Sequence, residues 1–418
     1  MTVLLASAHD LWGEARGGAW LTRRRVLAYA ALLLCVEVIG FAFCVAGTHG
    51  WIVPLDRPTS TDFVSFYAAG TLADSGTPAL AYDQAMHYAV EQQVTEPRIE
   101  YNFFYYPPVY LLICSLFSRL PYMAAFIAFE ALSLLLCLLV ARRTVEAKSW
   151  IVSLPLLAFP SVFWTMGLGQ NAFLTAALFG GALLLIDRRP LLAGMLFGLI
   201  CYKPHFGLLI PVALVAGGRW RAVAGAALAV AAVVGLSVAV FGWQTWQDFF
   251  TLAGGSPSTY ENGRIDLAGL VTLFGGLRLI GVPTAPAYAV QGVGAIAAIA
   301  LVAVVWRYNL SLATRAAALA AATLIAVPVA LIYDLLLAGI AMAWLIRAGR
   351  KSGFLSWEKT TLAAVFIVPL LSRSFGTGTH VPLAQVALIA LLALIVRRAW
   401  YETDEARRSP GLASSIPS

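Results

Sequence analysis

Long apolar runs separated by short polar breaks occupy nearly the whole chain. They fall near residues 26–47, 106–140, 150–166, 171–186, 191–217, 221–241, 285–306, 316–346, 360–372 and 380–396. A helix crossing a bilayer needs about 20 consecutive apolar residues, so most of these runs are long enough for one crossing and several for two. They are continuous and rich in Leu and Ala, without the short alternating segments of a membrane barrel. The pattern predicts an all-α fold, a polytopic transmembrane helix bundle of about 11–13 spans.

The polar breaks are of two kinds. Basic clusters at Arg142-Arg143, Arg188-Arg189, Arg219 and Arg221, Arg307 to Arg315, Arg347 to Lys351 and Arg397-Arg398 recur between the runs. The positive-inside rule places them all in the cytoplasm. The remaining breaks then reach the outer side: Gly169-Gln170-Asn171, Tyr202-Lys203-Pro204-His205, Tyr333-Asp334, a first loop over 48–105 with an amphipathic stretch at 84–95, a second over 243–284, and the turn from Arg373 to His380. The first loop is expected along the membrane surface. Residues 1–25 form a cytoplasmic N-terminus, 26–398 a single membrane domain, and 399–418 a disordered cytoplasmic tail rich in Ser and Pro. One conflict remains at 106–140, which reads as two spans broken at Arg119-Leu120-Pro121 although the topology needs an odd number there. A re-entrant piece around Tyr105 to Pro108, or a misassigned basic loop at 141–148, would resolve it.

Composition narrows the class further. Apolar residues make up 60% of the chain and charged residues 12%, about half the charged share of a soluble domain. The net charge of +7 lies in clusters between spans, so membrane lipids are expected partners and nucleic acid is not. Five cysteines without CxxC spacing support neither a disulfide framework nor a zinc site. The run that follows Arg23-Arg24-Arg25 is too long for a cleaved signal and reads as an anchor.

Candidate chemistry gathers at the outer breaks. Asp62 stands in Thr61-Asp62-Phe63-Val64-Ser65-Phe66-Tyr67 just after the first run. A carboxylate among aromatics at a membrane surface has a raised pKa and suits a general base. It could instead cap a helix opening at Phe63. Lys203, between two apolar halves, is a candidate for an anionic group, or it snorkels to the interface. Gln170 and Asn171 offer amide donors and acceptors to a ligand or cap the next helix, and Asp334 is a ligand-binding or base-orienting carboxylate or a solvated span end. Asp83 is a weaker candidate that could simply begin a helix. His205 and His380 lack a third ligand, so no metal and no cofactor is expected.

Taken in order, Asp62-Phe63 with Tyr67 and Gly70, Ala81-Tyr82-Asp83, Tyr105-Tyr106-Pro107-Pro108, Gly169-Gln170-Asn171, Ala193-Gly194 with Gly198, and Lys203-Pro204 resemble glycosyltransferase family 87 over roughly residues 55–220. The resemblance implies a GT-C fold and inverting transfer of one sugar, a mannose-like hexose or a pentose, from a polyprenyl-phosphate donor to a glycolipid or glycan acceptor. It implies Asp62 as base, with Lys203, Arg373 and Arg264 toward the donor phosphate, and Tyr67, Tyr106, Gln170, Asn171, Asp334 and His205 toward sugar and acceptor. Where some family members carry a catalytic histidine, this chain reads Tyr333-Asp334. The expected setting is a bacterial inner membrane with an extracytoplasmic site. A lipid-linked glycan flippase, which would spread polar residues through the midplane, and a lipid-linked oligosaccharide ligase or polymerase, which would need a larger basic outer loop, are the alternatives.

Overall fold

Segments of Leu, Ala and Val with no charge among them have no water to bond to in a bilayer, and the helix pairs every N–H and C=O internally. The computed structural model describes residues 10, 12–46, 62–95, 97, 99–255 and 266–408, and among these it is helical with only an isolated β-bridge, Leu270 to Leu331. Seven helices are long and apolar enough to cross a membrane: α1 (Arg23–Ala46), α5 (Tyr122–Thr144), α11 (Trp220–Gly255), α13 (Thr284–Arg307), α15 (Leu336–Ser352), α16 (Glu358–Thr379) and α17 (Leu383–Arg408). Between them lie α6 (Ser153–Leu157) and α7 (Pro160–Leu168), an apolar pair bent by 69° at the break between Leu157 and Pro160. Four shorter apolar helices complete the bundle: α8 (Ala172–Leu185), α9 (Pro190–Gly198), α10 (Leu209–Ala216) and α14 (Leu312–Ala326).

The interior is built on α14 and α15. From Ala313 to Ala326 every residue of α14 except Arg315 is buried, and its sequence is mostly alanine, so α13, α15 and α17 pack closely around it. A helix that is apolar on all sides belongs in such a place. Elsewhere glycine sets the spacing: Gly194 and Gly198, four residues apart on α9, meet the backbone of α11 at Ala222 and Ala226, and Gly225 of α11 meets Leu191. Small residues at this spacing let two helices touch main chain to main chain, where close packing supplies the association energy.

The basic clusters gather at one end. Arg219 pairs with Asp187 at 2.6 Å, Arg347 with Glu146 at 2.6 Å, and Arg398 with Glu358 at 2.6 Å. The pairing of Arg347 with Glu146 keeps the loop 141–148 at this basic end. The conflict in 106–140 resolves accordingly: α4 (Leu111–Phe117) has only 7 residues and remains at the opposite end, where Arg119 pairs with Asp74 at 3.1 Å, so α5 makes the only crossing in that stretch.

The first loop is more deeply set than a surface-lying segment. Its helix α2 (Phe63–Asp74) buries Phe63, Val64, Phe66, Ala69 and Leu72 against α4 and α5, with Gly70 on the Cys114 backbone. The amphipathic stretch forms α3 (Gln84–Val94), capped by Asp83 Oδ1, which accepts from Met86 N at 2.9 Å. Asp83 therefore serves the helix it begins. At the other terminus α17 continues past residue 398 to Arg408, because Glu402 accepts from the Ser311 and Thr314 hydroxyls at 2.8 and 2.6 Å. Residues 409–418 of the expected tail lie outside the described residues.

Replacing Gly194 with alanine forces a methyl group into the Ala222 carbonyl. The expected cost is about 1–3 kcal/mol, seen as a lowered Tm in detergent. The control Gly235→Ala, where a Cβ meets nothing within 4 Å, leaves Tm unchanged or raises it.

Candidate active site

At the end opposite the basic clusters, the first loop meets the bundle through a turn. Helix α7 stops at Gly169, whose φ of 67° is left-handed, and a Cβ there would stand 2.7 Å from Phe63 Cβ. Both the turn and the close approach call for glycine. The next residue, Gln170, reaches Asp62, with its Nε2 donating to Oδ2 at 2.7 Å. Asp62 occupies the N-cap position of α2 but makes no side-chain cap hydrogen bond. Its carboxylate is engaged by Gln170 and not by the helix, which removes the capping alternative.

Burial raises the Asp62 pKa to about 6, and the Gln170 hydrogen bond and the Lys203 charge pull against that rise. Lys203 itself does not snorkel. It sits 4% exposed between two 3-10 turns, Leu199–Tyr202 and Pro204–Gly207, and its Nζ meets Asp334 Oδ1 at 3.0 Å. Asp334 is 5% exposed, so it is not a solvated span end. Its Oδ2 accepts from Leu331 N at 3.0 Å, fixing it in the turn that opens α15. The same turn carries the bridge to Leu270, and Thr272 donates to the Pro328 carbonyl at 3.0 Å, so the second loop also borders the site.

A tyrosine layer lies between the two charged groups. The Tyr106 hydroxyl donates to Gln170 Oε1 at 3.4 Å, Tyr106 and Tyr110 rings are 4.7 Å apart, and Tyr110 stacks on Tyr202 at 5.1 Å. The Tyr202 and Thr175 hydroxyls are 2.7 Å apart. Asn171 faces the Tyr106 and Tyr110 hydroxyls; it is fully buried, does not cap α8, and neither its Oδ1 nor its Nδ2 makes a hydrogen bond of good geometry. A buried amide whose contacts are this poorly aligned is costly and can take better partners from a ligand.

The structure thus brings together Asp62, Tyr106, Gln170, Asn171, Lys203 and Asp334. Other candidates stand apart. The Tyr67 hydroxyl donates to the Leu120 carbonyl at 2.8 Å, a tie between α2 and the turn before α5. Arg373 pairs with Asp266 at 2.8 Å over the Trp164 ring, while His205, two residues past Lys203 and within reach of its charge, rests its ring against Phe206 and has no part in the Asp62–Gln170 contact. Arg264 lies outside the described residues.

Tyr110, Tyr202 and Thr175 escaped the sequence reading, although the spacing of Tyr106 and Tyr110 around Pro107-Pro108 was a usable signal. A second missed group lies beneath α2, where His87 Nε2 donates to the Ser65 carbonyl at 3.0 Å and Glu91 Oε2 accepts from Asn102 N at 3.1 Å. Burial pushes His87 down to about 4 and Glu91 up to about 8. Both are therefore neutral near pH 7, a dry support under the end that carries Asp62.

The family model of glycosyltransferase family 87 matches residues 104–333. The chain belongs to glycosyltransferase family 87. A family 87 protein is a glycosyltransferase, and its helices make this one a multi-pass membrane protein. The matched segment contains Tyr106, Gln170, Asn171 and Lys203 and ends just before Asp334; Asp62 precedes it and joins it through Gln170. A search of curated proteins and of solved structures finds no match.

Because the folded state raises the Glu91 pKa from 4.5 to about 8, its contribution to stability is complete below pH 4.5 and is lost as pH climbs through 8. His87 acts in the opposite sense, losing its contribution as pH falls from 6.5 through about 4. The two slopes oppose each other between pH 4.5 and 6.5, so thermal unfolding is expected to show a Tm that declines between about pH 6.5 and 8, a decline that Glu91→Gln largely abolishes.

Proposed function

We propose that this enzyme transfers one sugar, a mannose-like hexose or a pentose, from a polyprenyl-phosphate donor to an acceptor hydroxyl, with inversion, on the extracytoplasmic face of a bacterial inner membrane. The observation that carries the reading is the state of Asp62: a carboxylate released from helix capping, fixed by Gln170, and raised to about 6. A base poised near the working pH removes a proton most effectively while remaining ionised. In the reaction the acceptor O–H proton passes to Asp62 and the oxygen forms a bond to the anomeric carbon. The bond from that carbon to the phosphate oxygen breaks, and its electron pair leaves with the polyprenyl phosphate. A single displacement of this kind inverts the configuration.

The leaving group needs a cation. Lys203 has three N–H donors, of which Asp334 takes one at 3.0 Å, and the others suit phosphate oxygens. Asp334 orients the ammonium, and no metal or cofactor is needed in this scheme. The Asn171 amide and the Tyr106 hydroxyl are disposed to bond sugar hydroxyls. The basic clusters at the far end of the bundle support an outward-facing site through the positive-inside rule. Collection of these groups at one end argues against a transport path through the midplane.

Radiolabelled sugar transfer from synthetic polyprenyl-phosphate sugars is expected to fall by about 10²–10⁴-fold in Asp62→Asn, with donor binding retained. Wild-type kcat/KM is expected to rise with pH through about 6, and Gln170→Ala moves that limb upward because a hydrogen bond to the ionised form is lost. Lys203→Ala raises the donor KM. Unchanged turnover in Asp62→Asn would sink the assignment of the base.

A further inference from the structure

The chain from Tyr101 to Tyr106 has no regular secondary structure, and its side chains alternate as an extended strand's do. Phe104 is fully buried and Tyr106 turns toward Gln170. Tyr101, Phe103 and Tyr105 turn the other way and line a cavity of about 560 Å³. The Phe103 and Tyr105 rings lie parallel, 7° apart in plane and 5.4 Å between centroids, with Tyr101 edge-on to Phe103 at 4.8 Å. The facing wall comes from α11 beyond its break at Gly242, whose φ of 80° redirects the helix over the first loop. That wall supplies Asp248 and Thr251, and Asp83 and Gln84 supply the rim.

The lining selects its occupant. Two carboxylates, an amide and a hydroxyl accompany the aromatic faces, and none of the described lining residues is basic. A phosphate would face the Asp83 and Asp248 carboxylates, and a lipid tail would leave these polar groups unbonded. A saccharide meets both needs, laying its C–H faces on the rings and donating its hydroxyls to the carboxylates. The size falls within the roughly 300–1,000 Å³ of small-ligand sites. We propose that this cavity binds the saccharide part of the acceptor and leads its reactive end past Tyr106 to Asp62. The assignment rests on the transferase reading for its purpose but not for its chemistry. One short extended segment serves both places: its odd-numbered residues grip the acceptor and Tyr106 joins the group that fixes the base.

The test is saturation-transfer NMR on the full-length protein with short linear manno-, galacto- and arabino-oligosaccharides, together with the transfer assay. At least one series is expected to bind wild type, and Phe103→Ala and the isosteric Asp248→Asn are each expected to weaken it by about tenfold. The same variants raise the acceptor KM and leave the donor KM unchanged. If no series binds, or if Asp248→Asn and Phe103→Ala alter neither binding nor acceptor KM while wild type transfers sugar, the cavity assignment falls and the transferase reading survives. Binding that the variants weaken in a protein that transfers no sugar would keep the cavity and overturn the transferase.

Discussion

The contact on which the polar end of the bundle depends is the hydrogen bond from Gln170 to Asp62. Asp62 and Gln170 are far apart in sequence and belong to different parts of the fold, one entering the first loop and one closing the hairpin of α7 and α8. Gly169 makes the contact possible by turning the chain left-handed where any side chain would strike Phe63. Without that approach Asp62 would have the backbone of its own helix as the nearest donor, and a capping carboxylate is a poor base. Its elevated pKa, its orientation and the position of Tyr106 above Gln170 all follow from the same junction.

The second constraint is the buried pair of Lys203 and Asp334. Removing two charges from water costs several kcal/mol per ion, so such a pair is weak evidence of stabilisation. It is better understood through its position, at the joined ends of helices too short to cross a bilayer alone. The arms α9 and α10, and likewise α14, are shorter than a bilayer crossing, and Lys203 and Asp334 are 4% and 5% exposed. The helix α2 and the tyrosines roof the space above the pair.

That roof explains why the first loop is packed and not spread on the surface. Its helix contributes the aromatic side chains that desolvate Asp62, and its underside rests on the neutral His87 and Glu91. The extended segment after it alternates between this interior and the aromatic cavity, so that one backbone conformation borders both the Gln170 side chain and the cavity. The break of α11 at Gly242 completes the cavity from the other side.

The order of apolar runs and the recurrence of basic clusters determined the helical bundle and its polarity, because bilayer thickness and charge are read by composition alone. They also placed Asp62, Gln170, Lys203 and Asp334 at one end, since each interrupts an apolar run away from the arginines. What composition could not decide was which polar groups meet. The reach of Gln170 to Asp62, the pairing of Lys203 with Asp334, the separate ties of Tyr67 and Arg373, and the shortness of α4 depend on helix packing between segments distant in sequence. Those contacts are set by backbone approach at Gly169, Gly194 and Gly225, and a glycine's role as a spacer becomes legible only when its neighbour across the interface is known.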